Sequence, residues 1–567
     1  MNTDGTRENG QHGKITDTIW RPLVKSTARS ICVVSVVLLV GVLISTYLLD
    51  TTTFVGGLAQ ISAQSSKTRA ARQQIEIPLN CSEYEFTRSC PKRYLTTAEY
   101  EGPDGNVDAA CPEYFRWIHE DLRPWAYTGI TLDMVERARP TANFRLVIVN
   151  GTAYLEKYQD AFQTRDVFTL WGILQLLRKY PGKIPDLDIM FDCVDWPVIR
   201  AADYGGPNAT TPPPLFRYCK DADTLDIVFP DWSFWGWPEI QVKSWVPLLN
   251  DLMEGNKRMN WDEREPYAYW KGNPEVAETR QDLLKCNVSD TQDWGARVYA
   301  QNWTQARTKG YKESNLASQC VHRYKIYVEG SAWSVSEKYI LACDSVTLLV
   351  TPRYFDFFTR GLKPLHHYWP IKPDDKCRSI KYAVNWGNSH PEEAKAMGKA
   401  ASEFIKEDLK ADYVYDYMFH LLNEYGKLLR YKPTVPEKAV ELCSESMACP
   451  ADGKKKDYMM ESLVKGPSVT GPCTMPPPYD PASLRALLSE RENSMKQVDE
   501  WEKRFYEKQR LSCSRGIIAA GGASNKRSRD ETSRPSHSIR NPISPSRNKQ
   551  ELYKSTIQSR STNWKIC

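Results

Sequence analysis

The chain has no Cys-x-x-Cys pair and no Cys/His spacing of the zinc-binding kind, although it holds 15 cysteines in 567 residues. That removes cysteine-based zinc modules from consideration. It has no internal repeat of the solenoid kind, so a stacked-repeat architecture is excluded. A basic fold is missing too. The net charge of +5 is carried by residues 524–567, with ten Lys/Arg against three Asp/Glu, and the residues before them sum to about −2. Nucleic acid is therefore not an expected partner. A full glycine-rich dinucleotide fingerprint is also absent.

Long apolar, uncharged runs are limited to one, Ile31 to Leu49, whose nineteen residues suffice to span a bilayer as a helix. Arg21, Lys25 and Arg29 precede it and Asp50 comes directly after. The positive-inside tendency then places the N-terminus in the cytosol and the remainder in a lumen. The run is longer than a signal-peptide core, and no small-residue cleavage site sits close behind it. The expectation is a single-pass type II signal anchor in the Golgi or ER membrane. Fourteen of the 15 cysteines lie beyond the anchor, as do five N-x-S/T sequons at Asn80, Asn150, Asn208, Asn287 and Asn302. Both features fit an oxidising, glycosylating compartment. The final residues, WKIC, are no retrieval signal, which speaks against ER retention by that route.

Composition divides the chain into a cytosolic tail (1–30), the anchor (31–49) and a polar stem (50–109). Two αβ segments come next (110–225 and 226–432), then a loop and amphipathic helix (433–511) and a basic, disordered tail (512–567). Cys81 and Cys90 bracket a short loop and predict a local disulfide, with Cys111 as a competing partner; Cys443 and Cys449 predict another small loop. Phe144 to Val149 reads as a strand, Arg165 to Tyr180 as a helix and Ile184 to Val194 as a buried strand ended by Asp195-Trp196-Pro197. Strand, helix and strand with short links predict a parallel sheet covered by helices. Ligands sit beyond the carboxyl ends of strands in such sheets, which is where Asp195 falls.

The stretch from Cys320 to Thr351 reads as strand, loop, helix, strand. Gly330 and small neighbours precede the helix, so backbone N–H groups and the helix dipole are set to receive an anion such as phosphate. The bland alternative is a plain αβ turn. Arg280, in the first helical turn after Gly272-Asn273-Pro274, is a second candidate for handling an anion. Trp232, Trp235 and Trp237 stand either in the core or on a platform for a sugar or peptide acceptor.

Several blocks together resemble glycosyltransferase family 90, the Rumi-like protein O-glucosyltransferases and fungal capsule xylosyltransferases, with the land-plant members most similar. The blocks are IPDLDIMFDCVDWP (184–197), FPDWSFWGWPEI (229–240), YAYWKGNPEVAETRQDLL (267–284) and YKIYVEGSAWSVSEKYILACDSVTLLV (324–350). The resemblance implies a GT-B-like α/β fold with two Rossmann-like domains facing a cleft. It also implies an inverting transferase that uses a UDP-sugar and needs no metal or other cofactor. Asp195 matches the family's general base. The donor site maps onto Asn273, Arg280, Gly330, Ser331, Ala332, Trp333, Ser334 and Val335. Cys320 and Cys343 match a cysteine pair flanking the nucleotide loop. Ser336 stands where the animal glucosyltransferases carry Arg, and the segment from Gly272 to Arg280 is one residue longer, so the resemblance leaves the donor sugar between glucose and xylose. The acceptor is a protein or cell-wall polysaccharide hydroxyl. Three other classes compete. A glycosidase would use two carboxylates but has no need of a phosphate-like loop. Of the remaining two, one is a metal-dependent GT-A enzyme using Asp186-Leu-Asp188 or Asp221-Ala-Asp223; the other is a non-catalytic Golgi binding module.

Overall fold

The structure is a computed structural model and describes residues 75–91, 109–206 and 210–524. The expected anchor at Ile31 to Leu49, the cytosolic tail, most of the stem and most of the basic tail lie outside these residues. No described helix is long and apolar enough to cross a membrane.

Two sheets organise the chain. The first begins with β1 (Phe144–Val149) and β2 (Thr152–Lys157), joined by Asn150-Gly151 with φ of 50° and 77°. Two successive positive φ values make a type I′ turn, whose twist matches that of the flanking strands, so β2 folds back antiparallel on β1. β3 (Leu187–Phe191) pairs antiparallel with β1, while β4 (Leu215–Arg217) and β5 (Ile227–Val228) continue parallel to β3. A late strand, β11 (Val440–Leu442), adds to the free edge of β2. The expected parallel sheet is thus corrected to a mixed one, because Asn-Gly enforces a hairpin at its start.

The second sheet comprises β6 (Glu265–Gly272), β7 (Ala296–Ala300), β8 (His322–Tyr327), β9 (Val346–Val350) and β10 (Trp369–Ile371). It is parallel throughout, in the order β10-β9-β8-β6-β7. All five residues of β9 are buried, as expected when helices cover both faces.

The helices that pack on these sheets or carry the cysteines and site residues are α1 (Cys81–Thr87), α2 (Arg165–Lys179), α3 (Trp245–Lys257), α4 (Glu278–Leu283), α5 (Ser336–Leu341), α6 (Lys376–Ser389), α7 (Pro391–Glu407), α8 (Ala411–Leu428), α9 (Ser444–Ala448) and α10 (Pro481–Ser524). α2 buries Phe168, Trp171, Ile173 and Leu176 in the core of the first sheet. α8 joins that same core, with Val414, Tyr417, Met418, Leu421 and Tyr425 at helical spacing, and the Tyr425 hydroxyl donates to the Asp188 carbonyl at 2.9 Å. The chain therefore crosses back after completing the second sheet. Ile380 of α6, Met397 of α7 and Val498 of α10 close the separate core of the second sheet.

The cysteine pairing corrects two expectations. Cys81 bonds Cys449 and Cys90 bonds Cys443, in place of two local loops. Each local pair is held apart by helix. α9 lies between Cys443 and Cys449, and six residues at 1.5 Å rise span about 9 Å, past the roughly 7 Å that a disulfide can bridge. Cys111, the competing partner, bonds Cys473. Two further bonds join Cys286 to Cys377 and Cys320 to Cys343.

Candidate active site

Asp195 stands four residues beyond β3, in a loop fixed by a buried arginine. Arg217, 1% exposed, donates to the carbonyls of Val194 and Trp196 and pairs with Asp192 and Asp226. Asp226 also accepts the backbone N–H groups of Val198 and Ile199. The loop therefore keeps its shape independently of Asp195, whose carboxylate is free to face outward and is a quarter exposed. Arg165, the first residue of α2, reaches it: Nη1 lies 2.5 Å from Asp195 Oδ1 and 3.1 Å from the Cys193 carbonyl oxygen.

On the second sheet, α4 comes after the carboxyl end of β6 and carries Arg280. Its Nε donates to the Glu329 carbonyl at 2.8 Å, and its two terminal nitrogens reach the carbonyls of Asn273 and Val328 and the Ser334 hydroxyl, the last at 3.0 Å. Every partner is a neutral oxygen. The guanidinium is thus oriented but not neutralised, and burial pulls its pKa below the usual arginine value. Gly330 lies against it: a Cβ there would come within 3.4 Å of Nη2 and 3.3 Å of the Trp333 carbonyl oxygen, a close fit. Asn273 caps the turn Pro274–Val276 by accepting the Glu275 N–H. The disulfide Cys320–Cys343 spans β8, the loop and α5.

Both ends open into one cavity of about 1110 Å³, lined by Asp195, Arg165 and Trp196 on one side and Asn273, Arg280, Gly330, Ser331, Trp333, Ser334 and Val335 on the other. Ala332 is 1% exposed and stays out of the lining. Trp232 and Trp237 line the cavity edge to face, their rings 5.0 Å apart. Trp235 does not. It turns into the core against Gly172 and donates its indole N–H to Tyr415 at 3.0 Å, because Gly172 on α2 leaves the space its ring needs. An acceptor role for Trp235 is therefore corrected.

Neither Asp-x-Asp pair reaches the cavity. Asp188 is held by Arg145 through two bonds of 2.7 and 2.6 Å, Asp186 caps the Asn150 N–H, and Asp221 is paired with Arg353 at 2.9 Å. Their charges serve the fold. Among the described residues the one grouping of possible metal ligands is Cys111, His420 and Cys473, and both sulfurs are bonded to each other. Of the sequons, Asn150 is exposed at the hairpin turn, Asn80 and Asn302 cap helices, Asn287 pairs with the Val298 backbone, and Asn208 lies outside the described residues.

Reasoning from the sequence missed Arg165 and Lys325. The first opens an amphipathic helix that also carries Asp166, Arg178 and Lys179, the second is a lysine within a buried strand, and each was a local signal without a visible partner.

A mixed α/β molecule with strand ends meeting at such a cleft has the architecture of a glycosyltransferase. The model for glycosyl transferase family 90 matches residues 106–502, and the chain belongs to that family. It is similar to the O-glucosyltransferase rumi homolog of Anopheles gambiae, 26% identical over 329 residues covering 55% of this chain and 78% of the relative. Protein O-glucosyltransferase 1 of Homo sapiens is 25% identical over 342 residues, covering 57% of this chain and 82% of the relative. O-glucosyltransferase rumi of Drosophila melanogaster is 24% identical over 398 residues, covering 66% and 92%. The protein is a glycosyltransferase.

Proposed function

We propose that this transferase has the GT-B arrangement, inverts configuration, and moves glucose or xylose from a UDP-sugar to a hydroxyl of a protein or cell-wall polysaccharide. The observation that carries the reading is the pairing, in one cavity, of an outward carboxylate from the first sheet with an uncompensated guanidinium from the second. An acceptor hydroxyl has a pKa far above neutrality and needs a positioned base as it attacks. Asp195 takes that proton while the oxygen bonds to the anomeric carbon. The bond from that carbon to the diphosphate oxygen breaks on the opposite face, and Arg280 takes up the charge that develops on the leaving UDP. With that charge met by arginine, the residues call for no metal at the diphosphate. A binding module without catalysis would have no use for both groups at one cleft.

The five disulfides fit an oxidising compartment, and we place the working part in the Golgi or ER lumen behind an anchor at Ile31 to Leu49. The test is UDP release by the purified protein against a panel of UDP-sugars with EDTA present. Release with one sugar, undiminished by EDTA, is expected and names the donor. Release abolished by the chelator would contradict the metal-free reading.

A further inference from the structure

Asp195 has two carboxylate oxygens, and they are not equivalent. Oδ1 is engaged by Arg165 at 2.5 Å, and among the described residues no hydrogen bond or ion pair goes to Oδ2. Arg165 is itself anchored without Asp195. It is 8% exposed, its Nη1 donates to the Cys193 carbonyl, and its guanidinium carbon lies 4.4 Å from the Trp232 ring and 5.2 Å from the Phe162 ring. A guanidinium held by a carbonyl and two aromatic faces is a rigid partner, and it meets the carboxylate through the single nitrogen Nη1.

The remaining charges around the loop are already satisfied. Arg217 is paired with Asp192 and Asp226, and Arg353 with Asp221. Among the described residues, Arg165 is thus the one cation that forms an ion pair with the candidate base. Without it the carboxylate, on an exposed loop between Val194 and Trp196, could rotate about its side-chain torsions.

We propose that Arg165 is a positioning residue for the transfer step: it pins Oδ1 of Asp195 so that Oδ2 is presented to the acceptor hydroxyl. This rests on the reading of Asp195 as the base. Arg165, a guanidinium that stays charged, takes no proton in the step. Its effect runs through the orientation of the carboxylate, so it belongs to kcat and not to donor binding.

The experiment measures kcat and donor KM of the full-length protein for Arg165→Gln, Arg165→Lys, Asp195→Asn and the double variant Arg165→Gln/Asp195→Asn. Misplacing a reacting group by about 1 Å costs roughly 100-fold, so kcat of Arg165→Gln should fall about 10- to 100-fold, with donor KM moving less than about threefold. Arg165→Lys, which keeps the charge but loses the planar group packed on Trp232 and Phe162, should recover part of the loss. In the Asp195→Asn background the same Gln substitution should cost less than about threefold, because residues acting as a unit are not additive. A loss of equal size in both backgrounds, or one confined to KM, would overturn the proposal and leave Arg165 a structural residue. Full activity of Asp195→Asn would instead overturn the reading of the base. Thermal melting of each variant separates misfolding from catalysis, and the Lys variant keeps the test decisive if the Gln variant does not fold.

Discussion

Arg280 gives every hydrogen bond it makes to a carbonyl or hydroxyl oxygen, and its guanidinium is only partly covered. A hydrogen bond to a charged group contributes about 1.5–3 kcal/mol. Arg280→Gln should therefore weaken UDP binding about 10- to 150-fold, read by calorimetry on the variant. An unchanged affinity would show that the diphosphate lies elsewhere. Two residues of the β8 segment carry opposite electrostatic strain. Burial pushes the Glu329 carboxyl up to about 7 and pulls the Lys325 ammonium down to about 7, the lysine with only the Cys343 sulfur 3.3 Å away. For Glu329 the folded value is raised, so its contribution to stability is full below about 4.5 and is lost as pH rises through about 7. For Lys325 the folded value is depressed, so its contribution is present above about 10.5 and is lost as pH falls through about 7. Glu329→Gln should therefore raise the melting temperature above pH 7 and leave it unchanged below pH 4.5. Lys325→Met should do the reverse, gaining most below pH 7. Parallel pH profiles for the two variants would contradict both assignments. Asp195 was legible in the sequence because an acidic residue ended a buried strand. Arg165 was not, since its partner lies 30 residues away and only the fold brings them together.

The element that joins sequence to site is β8, its loop and α5. Its sequence shows the period of the strand, the glycine and the helix, and the structure places them within a residue or two: strand to Tyr327, helix from Ser336. What the pattern cannot show is that α5 is only six residues long and that the loop leans on Arg280. Cys320–Cys343 closes a 23-residue separation around this element. Loop-closure entropy for a ring of that size is worth about 3 kcal/mol. Replacing both cysteines by alanine should lower the melting temperature by several degrees and weaken UDP binding, because the loop is no longer braced at its two ends. Lower stability with unaltered UDP affinity would confine the bond to a scaffold role. The hairpin at Asn150-Gly151 carried its own signal, two residues suited to positive φ between alternating strands. The same residues also open a sequon, and only the backbone angles decide that the turn governs the fold.

At the scale of the molecule the two halves are tied by the returning helix α8, while two disulfides fasten the segment around α1 to residues 443–449, beside the strand that extends the first sheet. The apolar stripe at Val414, Tyr417, Met418, Leu421 and Tyr425 reads from the sequence as a helix returning after the second αβ segment, and it is the first core that receives it. Helix length forbids the short cysteine loops that proximity in sequence invites, and such long-range pairs cannot be read from spacing. The central claim is that one cleft joins a base from the first sheet to a cation from the second. The most direct measurement is transfer and UDP binding by Asp195→Asn side by side. Loss of the base should lower transfer by about 10²- to 10⁴-fold while UDP affinity stays that of the parent protein. Transfer at the parent rate, or a loss of UDP binding that matches the loss of transfer, would contradict the account.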